Sequence, residues 1–125
     1  MPAKKIVVPV KSKKAAVNVD TKDPYRAYLM EYGLAQGLKV ADVELLFKII
    51  QAESGWGHYT SSGKVKTSYT NDVGFGQINV KFHLARTIKM GLDIYKPYDN
   101  LKYVVYLYKT SGTGPWNASK ARWNA

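Results

Sequence analysis

Glu53 stands where a carboxyl group can be kept protonated. Across residues 41–54 the apolar side chains Val43, Leu46, Phe47 and Ile50 recur at helical spacing, and Gly55 supplies a stop. Leu46, Ile50 and Glu53 are separated by four and then three residues, so they share one helical face. Desolvation by the apolar side and the negative end of the helix dipole both oppose ionisation there. A carboxyl that stays protonated at neutral pH is what a general acid requires. The alternative is a frayed last turn that turns Glu53 into water. Few other residues offer chemistry. His58 and His83 are the only histidines, there is no cysteine, and no pair has helical ligand spacing, so neither a metal nor a cofactor is expected. Gly74-Phe75-Gly76 lacks the strand, helix and Lys-Ser/Thr of a phosphate loop. No Ser-His-Asp order suggests itself.

The elements that must position Glu53 are mostly helical. Asp23-Pro24 reads as an N-cap followed by proline at the first helical position, with Gly33 closing that helix. Residues 56–79 are rich in Gly, Ser, Thr, Asn and Tyr, with an alternating piece at Lys64-Val65-Lys66-Thr67, and read as a loop carrying a small β-hairpin. Residues 80–90 form a further helix closed by Gly91. Pro97 precedes another, with Asn100 as cap and Leu101, Val104, Val105, Leu107 and Tyr108 packing. Gly112 and Gly114-Pro115 break the chain before a last short helix that ends at Trp123. The expected class is α+β, mostly α, with one small hairpin.

Glu53-Ser54-Gly55-Trp56, a polar hairpin, then Asp72-Val73-Gly74-Phe75-Gly76-Gln77-Ile78-Asn79 resembles the lysozyme superfamily. The likeness is to soluble lytic transglycosylases and phage-type muramidases. It extends through Met90-Gly91-Leu92-Asp93, Pro97 and Asn100-Leu101 to Pro115-Trp116, Ser119 and Trp123, covering roughly residues 40–125. The resemblance implies a two-lobed domain over 21–125 with an active cleft between a helical lobe and the hairpin. It implies cleavage of the β-1,4 bond between N-acetylmuramic acid and N-acetylglucosamine in peptidoglycan, with Glu53 as general acid. Asp72 would be the second carboxylate, a nucleophile or electrostatic stabiliser, and its presence tilts the expectation toward hydrolysis. A lytic transglycosylase, in which the substrate's own acetamido group does that work, is the alternative. Asp72 capping the turn after Asn71 is the structural alternative. Gln77 and Asn79 would lie along the saccharide cleft, and Trp56 and Trp123 would contact substrate. Trp56 could equally pack in the core. Where many transglycosylases carry Gly-Leu-Met-Gln, this chain has Gly74-Phe75-Gly76-Gln77, and Trp123-Asn124 is the nearest match to their Tyr-Asn pair.

Length, composition and charge bound the rest. The 125 residues suit one domain with a real core, and no apolar run is long enough to span a membrane. Nineteen Lys and Arg against nine Asp and Glu give a net charge of +10, which favours a polyanionic partner. Residues 1–20 hold five of these lysines (Lys4, Lys5, Lys11, Lys13 and Lys14) against Asp20 alone, and read as a flexible basic arm with a short strand as the minority view. Lys4-Lys5 before Ile6-Val7-Val8 is too short for an export signal, so a phage-encoded enzyme acting at the wall, in periplasm or outside the cell, is the expected setting. A monomer acting on glycan strands is expected, with no specific nucleic-acid partner. The rival from another class is a non-enzymatic basic nucleic-acid-binding or virion protein. The 13% aromatic content stacks equally well on sugars and bases and does not separate the two.

Overall fold

The computed structural model describes the backbone of residues 5–9 and 16–20, and the whole of residues 23–124. The fold is α+β and mostly helical, with small antiparallel hairpins. Two compact units divide the chain, Met1–Phe47 and Lys48–Ala125, and helix α2 (Val40–Ser54) runs from the first into the second. No helix of the described residues is long and apolar enough to cross a membrane.

In the first unit, strand β1 (Lys5–Pro9) pairs antiparallel with β2 (Ala16–Asp20), Lys5 opposite Asp20 and Pro9 opposite Ala16. Part of the segment expected as a basic arm therefore has a paired backbone; Lys4, Lys11, Lys13 and Lys14 lie outside the described residues. Helix α1 (Pro24–Ala35) starts as its sequence dictates. The Asp23 carboxylate accepts from the backbone N–H groups of Tyr25 and Arg26 at 3.1 Å each, and Pro24 occupies the first turn. Gly33 does not end this helix, which runs on to Ala35, with Gly37 taking the left-handed turn at φ 93°. Gly33 is instead a point of close approach, where a Cβ would lie 2.9 Å from Cγ2 of Val43. Leu29, Met30, Leu34, Val43 and Leu46 form the buried apolar set of this unit.

In the second unit, strand β3 (Asp72–Val73) pairs with β4 (Ile78–Asn79), and the isolated bridges Tyr59–Val65 and Thr67–Val73 extend the loop expected to carry a hairpin. Helix α3 (Val80–Lys89) follows directly, capped by Asn79, whose Oδ1 accepts from Phe82 N at 3.2 Å. Helix α4 (Pro97–Ser111) is the central rod of the unit. Leu101, Tyr103, Val104, Val105 and Leu107 on it are buried with Ile49, Ile50, Val73, Phe75, Ile78, Ile94 and Trp116. Each large apolar side chain so buried contributes roughly 1.5–3 kcal/mol. Tyr103 is fully buried, whereas Tyr108, expected to pack, is only half-buried. A short 3₁₀ segment (Gly114–Ser119) and helix α5 (Lys120–Trp123) close the described chain.

Asn100 is not a cap. Proline 97, with its preset φ, occupies the first turn, and Lys96 takes the cap position. Asn100 therefore falls inside the helix on the face shared with Val104 and Leu107, fully buried.

Candidate functional site

Two elements meet at Glu53. It lies in the last turn of α2, half-buried, and its Oε2 accepts a hydrogen bond of 2.5 Å from the Ser119 hydroxyl. Ser119 ends the 3₁₀ segment and is itself buried between Trp116 and Trp123 in sequence, at intervals of three and four. Just beyond Glu53, the Lys66 ammonium caps the C-terminus of α2 by donating to the Ser54 carbonyl at 2.8 Å. Gly55 and Trp56 then turn the chain with φ of 64° and 61°.

The Glu53 carboxyl titrates above the ordinary glutamate range. Burial is the main cause; the Ser119 hydrogen bond and the charge of Arg122 act against it, and the negative charge of Asp72 adds to it. Asp72 behaves in the opposite way. Its partial burial would raise its pKa, but hydrogen bonds to the ionised form prevail and hold it below the usual carboxylate range. Thr70 Oγ1 and Ser68 Oγ donate to Oδ2 at 2.5 and 2.7 Å, and Asn79 Nδ2 donates to Oδ1 at 2.9 Å. The two carboxyl groups are thus pushed apart, Glu53 toward the acid form mainly by burial and Asp72 toward the anion by its hydrogen-bond donors.

Asp72 also lines an open cavity of about 160 Å³, together with Gln77, Asn79, Phe82, His83 and Trp116. Phe82 is 75% exposed at this cavity, an aromatic face turned to solvent. His83 Nδ1 lies 2.9 Å from the Tyr103 hydroxyl. Glu53 is not among the residues lining the cavity; Trp116 links the two, lining the cavity while its carbonyl lies 3.1 Å from the Ser119 hydroxyl.

The second unit also holds a polar hub. Asn100 Oδ1 accepts from Gly76 N, and its Nδ2 donates to the carbonyls of Val73 and Ile94, all at 2.9 Å. The Trp116 indole donates to the Gly76 carbonyl at 3.0 Å. His58 is buried beside them. Its Nδ1 accepts from Phe75 N at 3.3 Å, which requires the proton on Nε2, and Nε2–H donates to the Tyr95 carbonyl at 2.7 Å. Burial, partly offset by that carbonyl and by Asp93, lowers its pKa and favours this neutral tautomer. Gly74 has no alternative here: φ is 69°, and a Cβ would lie 2.4 Å from the His58 ring and 2.7 Å from Asn100 Nδ2.

The sequence-expected residues are distributed unevenly over this geometry. Asp72, Gln77 and Asn79 share the cavity, although Asn79 is largely engaged by Asp72, Thr70 and the α3 cap. Gln77 takes a left-handed φ of 49°, and its amide donates to the Gly74 carbonyl at 2.9 Å. Trp56 is half-buried with its ring edge-on to Phe75, centroids 5.5 Å apart. Trp123 is 5% exposed and donates its indole N–H toward Ser119 Oγ and the Trp116 carbonyl at 3.1 and 3.2 Å. Sequence reasoning gave no role to the Ser119 contact, the Asn100 hub, Phe82 or His83. A signal existed for the first two: like Glu53, each is a polar residue set into an otherwise apolar helical stripe. No protein-family model, curated protein or solved structure matches the chain.

Proposed function

We propose that the chain is a peptidoglycan-cleaving glycosidase, a muramidase acting on the β-1,4 bond between N-acetylmuramic acid and N-acetylglucosamine. One observation carries this reading: Glu53 is biased toward its acid form while nearby Asp72 is biased toward its anion, the division of labour that glycoside cleavage needs. The resemblance of Glu53-Ser54 and Asp72-x-Gly74-x-x-Gln77-Ile78-Asn79 to lysozyme-type sequences supports the substrate class.

In this reading Glu53 gives its proton to the glycosidic oxygen as the bond from that oxygen to the anomeric carbon breaks. The positive oxocarbenium-like centre is stabilised by Asp72, whose ionisation survives because Ser68, Thr70 and Asn79 are already turned toward it. Water then adds to the anomeric carbon and returns its proton to the Glu53 carboxylate, restoring the acid. A sugar ring stacked on Phe82, with its polar substituents toward Gln77, fits the open cavity. The net charge of +10 favours adsorption on an anionic wall and weakens with salt. A monomer working at the bacterial wall is part of the same proposal.

The test is clearance of purified cell walls by the parent protein and by Glu53→Gln, followed by mass analysis of the released fragments. The parent clears the walls and yields fragments carrying an added water, and Glu53→Gln loses at least about a hundredfold in rate. Clearance by Glu53→Gln at the parental rate overturns the assignment. Anhydro fragments would transfer the stabilising role from Asp72 to the substrate. Absence of lysis together with a gel shift of nucleic acid would favour the basic binding protein instead.

A further inference from the structure

The Ser119 hydroxyl has one hydrogen and two acceptors in reach, Glu53 Oε2 at 2.5 Å and the Trp116 carbonyl at 3.1 Å. The Trp123 indole N–H lies 3.1 Å from Ser119 Oγ and 3.2 Å from that same carbonyl. It therefore fills an acceptor position on Oγ and occupies the competing carbonyl, which leaves the Ser119 hydrogen to Glu53. Ser119, Trp116 and Trp123 are buried, which shields these contacts from water, while Glu53 is half-buried.

Taking Glu53 as the acid of the proposed muramidase, we propose that Ser119 is a positioning residue that claims Oε2 and reserves Oε1 for the proton delivered to the glycosidic oxygen, with Trp123 holding the Ser119 hydroxyl in that orientation. The bond to Oε2 is present in the acid form, where Oε2 is the carbonyl-like oxygen. It strengthens as Oε1 gives up its proton, because its acceptor becomes charged. An interaction that grows along the reaction coordinate assists the chemical step more than it assists binding. The remaining groups that act on the Glu53 charge are Arg122 on α5 and Asp72 on β3. The nearby cation Lys66 is engaged with the Ser54 carbonyl. Changing Ser119 removes none of these charges, so a shift in Ser119→Ala can be assigned to the hydroxyl.

The experiment compares the parent with Ser119→Ala and Trp123→Phe in two measurements. One is the pH profile of wall clearance; the other is an NMR titration of the Glu53 side-chain carboxyl, which needs no substrate. Removing a donor that favours the carboxylate makes Glu53 hold its proton to higher pH. The basic limb of the profile and the Glu53 titration therefore both move upward in Ser119→Ala, while kcat at the optimum falls about tenfold and KM changes less than about twofold. Trp123→Phe frees the Trp116 carbonyl to draw the hydrogen away, and gives a smaller shift in the same direction. It also decides the matter if Ser119→Ala does not fold. A basic limb and a titration that stay put, or move downward, in the folded variants overturn the proposal. A parent that leaves walls intact sinks the hydrolase reading alone, since the titration still reports on the Ser119 bond. A parent that clears walls, with variants whose titration is unchanged, sinks the role of Ser119 alone.

Discussion

Asn100→Ala tests whether the polar hub holds the second unit together. The substitution removes one acceptor and two donor contacts at once, taking from Gly76 N–H its side-chain acceptor and from the carbonyls of Val73 and Ile94 one donor each, in a fully buried place. Each orphaned buried group costs about 1–3 kcal/mol, less where a neighbour or a water moves in, so a total of about 4 kcal/mol is the working figure. Unfolding entropy of about 2.1 cal/mol/K per residue over 125 residues gives about 0.26 kcal/mol/K, and that loss lowers Tm by about 15 °C. Thermal unfolding followed by circular dichroism is the assay. Asn100→Asp adds a signed control. It keeps the acceptor toward Gly76 but presents oxygen to two carbonyls, so the folded state favours the protonated acid and raises its pKa. Its stability is then greatest below the unfolded aspartate value of about 3.9 and is lost as pH rises through the folded one. A fall in Tm under about 4 °C for Asn100→Ala, or an Asn100→Asp variant indifferent to pH, would refute the hub.

Two further outcomes follow from the charges around the site. Asp72→Asn removes a negative charge that raises the Glu53 pKa, so the basic limb of wall clearance moves to lower pH and the rate falls at least about tenfold; an unmoved limb would mean that the two carboxyls do not communicate. His58 keeps its neutral form, with the proton on Nε2, to lower pH than a free histidine, which is half charged at about 6.5. Because its folded pKa is depressed, the stability it contributes is present above about 6.5 and is lost as pH falls through the folded value. A histidine NMR titration of the native protein at or above 6.5 would contradict this.

Much of the local structure could be read from residue order alone. Asp23-Pro24, the stripe through Leu46, Ile50 and Glu53, and the polar run before Asp72 each act within a few residues, where capping, periodicity and turn chemistry decide. Gly33 was misleading because its small size serves contact with Val43 and not helix termination. Asn100 was misleading because Pro97 had already fixed the helix start three residues earlier. In the site, Glu53 was legible as a polar residue on an apolar face. Its partner was not, since Ser119 lies 66 residues away and only the tertiary fold joins them. The indole N–H groups of Trp116 and Trp123 escaped for a similar reason: composition counts tryptophan as bulk, and their effect here comes from a single directed donor each.

The left-handed backbone at Trp56, Asn71 and Gln77 reorders what counts as a conservative replacement. Ordinary similarity would exchange tryptophan for phenylalanine, or glutamine for glutamate, and would rank glycine as remote. At these three places the main chain accepts glycine most readily, so whatever keeps a bulky residue there must come from its side chain. A library that sampled glycine at each position would separate the demands of shape from those of chemistry, residue by residue.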